Sequence, residues 1–253
     1  MNSLRFTAET SADGVIIERD FTLGEIPGVL WTPASETGRT PLILMGHGGG
    51  QDKKTPAQLA RAREFVTRGF AVAAIDAPGH GDRPRSAEDE QARADLRHAW
   101  QTGAPIGEIS SRYGASLALR AVPEWQATLD ALQELPEIGT DGPVGYGGGI
   151  TLGTAIGVPL TAADSRITAA LFGGGFVVHG ALVEAARRVT VPVRYLLQWD
   201  DEHVDRQSAL AFFDAFGSKE KTMHANSGGH GDVPAFEVAS SIRFFRRHFG
   251  LES

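Results

Sequence analysis

Three stretches of the sequence carry side chains suited to nucleophilic acyl transfer. Thr151 lies in GGGITLG (147–153), a glycine cluster between an apolar run and a helical pattern. Asp200 closes the apolar run VPVRYLLQWD (191–200), and Asp201 follows it. His230 sits in NSGGHGDVP, a glycine-rich loop before the last helical pattern. A hydroxyl held in a sharp turn can attack a carbonyl carbon. A histidine, with an unperturbed pKa near ~6.5, can take the proton and later return it. A carboxylate behind it fixes the tautomer and stabilises the imidazolium, and preorganised backbone N–H groups receive the developing oxyanion.

The surrounding elements place all three at strand ends. GVIIERDF and GVLWTP read as early antiparallel strands. The stretches 41–50, 70–76, 143–147, 167–174, 191–200 and 219–226 read as further strands, the first two continuous enough to be buried on both faces. Helical patterns separate them: TPAQLARAREFVTRG, with Thr55 as N-cap and Pro56 at the first position, then VPEWQATLDALQEL, TLGTAIGVPLTAA, GALVEAARRV, QSALAFFDAFG and VASSIRFFRRHF. Such alternation predicts a doubly wound, mostly parallel α/β sheet in a single domain spanning 1–253. Ligands of such sheets bind at the carboxyl ends of the strands. Residues 84–118 are longer than a usual connection and hold a helix of their own; they read either as a lid or pocket wall overhanging that crevice or as a plain surface excursion.

The ordered set GHGGG (46–50), IDAPGHGDR (75–83), GITLG (149–153), DDEHV (200–204) and GGH (228–230) resembles the α/β-hydrolase fold, on the branch of the dienelactone hydrolases and small esterases. The likeness covers about residues 25–250. It implies Thr151 as nucleophile, His230 as base and, by the spacing Asp-x-x-Val, Asp201 rather than Asp200 as the acid. It implies oxyanion donors at the amides of Leu152, Gly48 and Gly49. The family turn G-x-S-x-G fits here in two registers: one puts Thr151 at the nucleophile position, the other Gly147, which has no nucleophile. The flanking glycines and the helix that follows favour Thr151. A β-branched residue is awkward there, because the turn demands φ > 0. The activity implied is hydrolysis of carboxylic esters, lactones or related acyl compounds. The alternative is a protein of the same fold that does not hydrolyse: a lyase, isomerase or cyclase, or a binding protein without turnover.

His47, Trp100, Tyr113, Phe176 and His203 are the expected pocket residues, and they suggest a neutral or aromatic acyl substrate. His98, His179, His224 and His248 are expected at the surface or in packing, with His179 also a candidate for the pocket wall, Asp76 and Asp82 as structural braces, and Glu202 in solvent. Net charge is −7 with scattered basic residues, which argues against nucleic acid and membrane partners. The 253 residues include no cysteine, so disulfides and thiolate chemistry are excluded. No histidine pair stands at metal spacing, and no cofactor is expected; GYGGG follows a central strand late in the chain, not the first strand of a dinucleotide fold. No apolar run is long enough for a membrane span, and a cytoplasmic protein is expected.

Overall fold

The computed structural model describes residues 3–35, 38–148, 151–174 and 178–251. The chain opens with an antiparallel meander, β1 (Leu4–Ala12), β2 (Ile16–Leu23) and β3 (Ile26–Pro33). Strand and helix then alternate: β4 (Leu42–Leu44), α1 (Pro56–Val66), β5 (Ala71–Ile75), α2 (Ala87–Thr102), α3 (Gly107–Gln133), β6 (Val144–Gly147), α4 (Leu152–Ala163), β7 (Ile167–Gly173), α5 (Gly180–Arg188), β8 (Val193–Gln198), α6 (Arg206–Ala215), β9 (Lys221–Asn226) and α7 (Phe236–His248). One nine-stranded sheet results, ordered β1-β2-β3-β5-β4-β6-β7-β8-β9. From β5 to β9 every neighbouring pair is parallel. Buried apolar side chains cover the sheet in two clusters, which is why its inner strands read as unbroken apolar runs. No helix among the described residues is long and apolar enough to cross a membrane.

The order in which the chain adds strands reverses at β4, which lies between β5 and β6. The loops leaving the carboxyl ends of β4, β6 and β8 therefore meet at one crevice. α1 starts as its sequence predicts: the Thr55 hydroxyl accepts from the Gln58 amide at 3.3 Å, and Pro56 takes the first turn. α4 lies close to β6 because Gly157 has no Cβ, which would stand 2.0 Å from the Tyr146 ring. The Tyr146 hydroxyl donates to the Gly153 carbonyl at 2.7 Å and fixes the helix start.

The excursion after β5 is two helices. Ser86 opens α2 with a capping box: its hydroxyl accepts from the Asp89 amide at 3.1 Å, while Asp89 accepts from the Ser86 amide at 3.2 Å. Arg120 of α3 clamps the same buried Asp89 through two bonds of 2.6 and 3.1 Å. Arg83 grips Glu124 of α3 with bonds of 2.6 and 2.7 Å. The α3 helix begins well before the expected start at Val122 and runs through Pro123. A helical proline removes the bond to the carbonyl four residues earlier. That carbonyl belongs to Leu119, 80% exposed, where water is at hand.

Candidate active site

Strand β6 ends at Gly147, α4 starts at Leu152, and Thr151 between them holds φ 62°, ψ −104°. Only Asp13 shares a positive φ among the described non-glycine residues. The left-handed turn thus falls on Thr151, not Gly147; Gly149 of the motif lies outside the described residues. Such a conformation costs on the order of 1–3 kcal/mol and persists only where the surroundings impose it. Here they do: the Thr151 amide donates to the Gly174 carbonyl at 3.0 Å. One turn on, the Thr154 hydroxyl donates to the Gly173 carbonyl at 2.9 Å and accepts from the Gly173 amide at 3.1 Å.

The GHGGG loop after β4 approaches the same point. The Gly49 amide donates to Thr151 Oγ1 at 3.4 Å, across 102 residues of sequence. The Gly48 amide is engaged elsewhere, donating to Gln51 Oε1 at 3.1 Å. Leu152 opens α4, where the first helical N–H groups have no partner within the helix. Behind the loop, buried His47 ties it to the strand β5 loop. Its Nδ1–H donates to the Gly48 carbonyl at 2.9 Å, and its Nε2 accepts from the Ala77 amide at 3.0 Å. Burial holds its pKa below the ordinary value, so it is a neutral brace. Buried Asp76 braces as expected, accepting from the Lys53 amide at 2.9 Å, from Lys53 Nζ at 2.8 Å and from the Asp82 amide at 3.0 Å.

At the end of β8 the two aspartates divide. Asp201 Oδ2 accepts from His230 Nδ1 at 2.7 Å, and its Oδ1 accepts from the His203 amide at 2.8 Å. The Asp201 side chain is 4% exposed and that of His230 20%. Asp200 instead pins the neighbouring loop: its Oδ2 accepts from the Gly228 amide, and its amide donates to the Gly228 carbonyl, both at 3.1 Å. Glu202 is exposed, yet its Oε2 accepts from the His230 amide at 3.2 Å. The His203 ring stands edge-on to His230, with centroids 5.3 Å apart.

Thr151, Leu152, Gly48, Gly49, His203 and His230 all line one cavity of about 870 Å³. Trp100 of α2 and Tyr113 of α3, from the 84–118 excursion, line it too. His47 is a correction: held behind the loop by both ring nitrogens, it is not among the lining residues. Phe176 lies outside the described residues. Two further histidines reach the cavity, His179 and His80. His179 caps α5, accepting from the Leu182 amide at 3.4 Å, and faces inward. His80 donates Nδ1–H to the Pro78 carbonyl at 2.9 Å, and burial pushes its pKa down to about 4. Arg93 and Arg97 on α2 are further lining residues that the sequence reading missed; with Trp100 they stand at helical spacing i, i+4, i+7, the available signal.

No family model and no curated protein sequence matches the chain. Solved structures do. A cold-adapted esterase from an Arctic intertidal metagenomic library, solved with polyethylene glycol bound, is 33% identical, with 95% of this chain and 97% of that one covered and a TM-score of 0.74. The chain belongs to the α/β-hydrolase superfamily. More distant solved structures share the fold. An acetyl xylan esterase from Paenibacillus sp. R4 is 15% identical, covering 97% and 88% of the two chains at a TM-score of 0.70. TT1662 from Thermus thermophilus is 17% identical, covering 88% and 94% at 0.63. Within the superfamily, this chain is a carboxylic-ester-hydrolase-like enzyme.

Proposed function

We propose that the chain hydrolyses carboxylic esters, lactones or related acyl compounds through Thr151, His230 and Asp201. The carrying observation is the strained φ of Thr151 at the start of α4, on a cavity it shares with a histidine whose far nitrogen is bonded to a buried aspartate. His230 Nε2 takes the hydroxyl proton as Thr151 Oγ1 attacks the acyl carbon. The oxyanion forms toward the amides of Leu152 and Gly49, with Gly48 contributing once Gln51 releases it. Collapse expels the alcohol, which takes the proton from the imidazolium. Water then attacks the threonyl ester by the same route and restores the hydroxyl.

Residues 84–118 act as a pocket wall in this reading. Trp100, Tyr113, Leu96, Leu117 and Leu182 give the cavity an apolar lining suited to an aliphatic or aromatic acyl group. The test is incubation with a small activated ester and with a fluorophosphonate, followed by mass spectrometry. Turnover with a covalent adduct on Thr151 is the expected result. An adduct on another side chain, or turnover unchanged in Thr151→Ala, overturns the assignment.

A further inference from the structure

A second cavity, of about 240 Å³, opens between α7 and the amino ends of β8 and β9. The active crevice lies at the opposite, carboxyl ends of the same strands, and the two cavities share no described lining residue. Arg194 of β8 stands in register with Thr222 of β9, and both line the cavity. Arg194 Nη1 donates to the Ser240 carbonyl and hydroxyl, each at 2.7 Å, and Cζ lies 5.0 Å from the centroid of the Phe244 ring. These contacts fix the guanidinium but leave its Nε buried without a hydrogen-bond partner. A buried charged donor left unpaired is costly, and folded proteins satisfy nearly all such groups. Nε and Nη2 together form the edge that grips two oxygens of one oxyanion side-on. Burial pulls the Arg194 pKa below the ordinary arginine value; Glu237 opposes that fall and Arg243 adds to it. The Glu237 carboxylate is itself engaged by His224 and Asn226, at 2.9 and 3.1 Å.

The charge around Arg194 is one-sided. Arg243 is exposed and makes no ion pair among the described residues. Arg247 and His248 share one carboxylate, Glu220, at 3.3 and 3.7 Å. Three guanidinium groups thus line the cavity with a single carboxylate, in a chain of net charge −7. Cations in the last turn of a helix complement its dipole, which accounts for Arg247. It does not account for Arg194, which sits on a strand with one edge unused.

We propose that this cavity binds a phosphate monoester. Two guanidinium charges in excess of the carboxylate match a dianion. Arg194 grips two phosphate oxygens side-on, Arg243 and Arg247 close from α7, and the Thr222 hydroxyl donates from the neighbouring strand. The cavity leaves room for a short organic tail beyond the phosphoryl group. The site is independent of the chemistry at Thr151.

The experiment is calorimetry of the full chain with glycerol 3-phosphate and, in parallel, inorganic phosphate. Binding should be saturable, at one site, and weaker as salt rises. Arg243→Gln and Arg247→Gln should each weaken it about tenfold. Arg194→Lys keeps the charge but loses the side-on edge, and should weaken it as much. Glu220→Gln removes the opposing carboxylate and should tighten it about threefold. Melting temperatures establish that the variants fold. Glycerol 3-phosphate should raise the melting temperature of the wild type, and not that of the double variant Arg243→Gln/Arg247→Gln. Sedimentation with vesicles carrying phosphatidic acid separates a lipid headgroup from a free ester: retention lost in the double variant would assign the same site to a membrane-borne phosphate. No saturable binding in either form, or binding equal in wild type and double variant, would overturn the inference.

Discussion

Asp201 Oδ2 lies 2.7 Å from His230 Nδ1, and the backbone amide of His203 holds the other carboxylate oxygen at 2.8 Å. The pairing orients the ring, leaving Nε2 as the nitrogen available to a nucleophile. Asp201→Asn should therefore permit the wrong tautomer and lower kcat strongly, by ~10⁴ in the well-studied serine-protease triad. Asp200→Asn should chiefly loosen the Gly228 turn, with a much smaller effect on kcat. Steady-state kinetics of both variants on one activated ester decide the matter. Equal losses would mean that the aspartates act as a unit.

Thr151 concentrates the tension between fold and chemistry. Its φ of 62° suits glycine far better than a β-branched residue. Thr151→Gly should raise stability by about 1–2 kcal/mol in denaturant titration while abolishing any covalent adduct. A stabilisation that comes with lost activity is the signature of strain kept for function. A fall in stability would mean that the threonine methyl packs more than its backbone strains.

The excursion is held by charge as much as by packing. The Arg120 hydrogen bonds to Asp89, ahead of the capping bonds from Ser86, keep that carboxyl below the usual carboxylate range. A carboxylate with a depressed folded pKa contributes stability that is present above its unfolded pKa, about 3.9, and is lost as pH falls through the folded value. Asp89→Ala should lower stability at pH 7 by about 1–3 kcal/mol. It should also speed amide exchange in α2, and the difference from wild type should shrink at pH 2. An α2 exchange rate unchanged by the substitution would remove the clamp from this account.

The alternation of strands and helices was legible because buried parallel strands must read as apolar runs and exposed helix faces must not. The order of Thr151, Asp201 and His230 was legible for a similar reason: glycines mark where backbone must turn tightly beside a site. Other features left weak traces. β1 is largely exposed, so its edge-strand sequence shows no apolar face. The early turns of α3 were hidden by Pro123, whose missing hydrogen bond falls at solvent-exposed Leu119. His47 reads like a pocket residue because its loop is one; only the bonds at both ring nitrogens turn it away. α2 is polar on nearly every face, and a helix that covers a cavity rather than the core has no apolar stripe to announce which side faces in.

Buried His80 gives the last prediction. Burial is the chief cause of its pKa of about 4, against an ordinary value near 6.5, with the Pro78 carbonyl opposing it. The unfolded chain therefore binds a proton between those values that the folded chain refuses. Stability from this group is present in full above pH ~6.5 and is lost as pH falls toward about 4, below which it changes no further. A shift of that size corresponds to roughly 3 kcal/mol. His80→Gln removes the titration, so denaturant titrations between pH 7 and pH 4.5 should show a shallower decline in the variant. At pH 7 the variant should be somewhat less stable, since it must replace a 2.9 Å bond to the Pro78 carbonyl. Identical slopes for the two proteins would show that His80 takes up its proton without opening the loop, and that the acid sensitivity of the fold lies elsewhere.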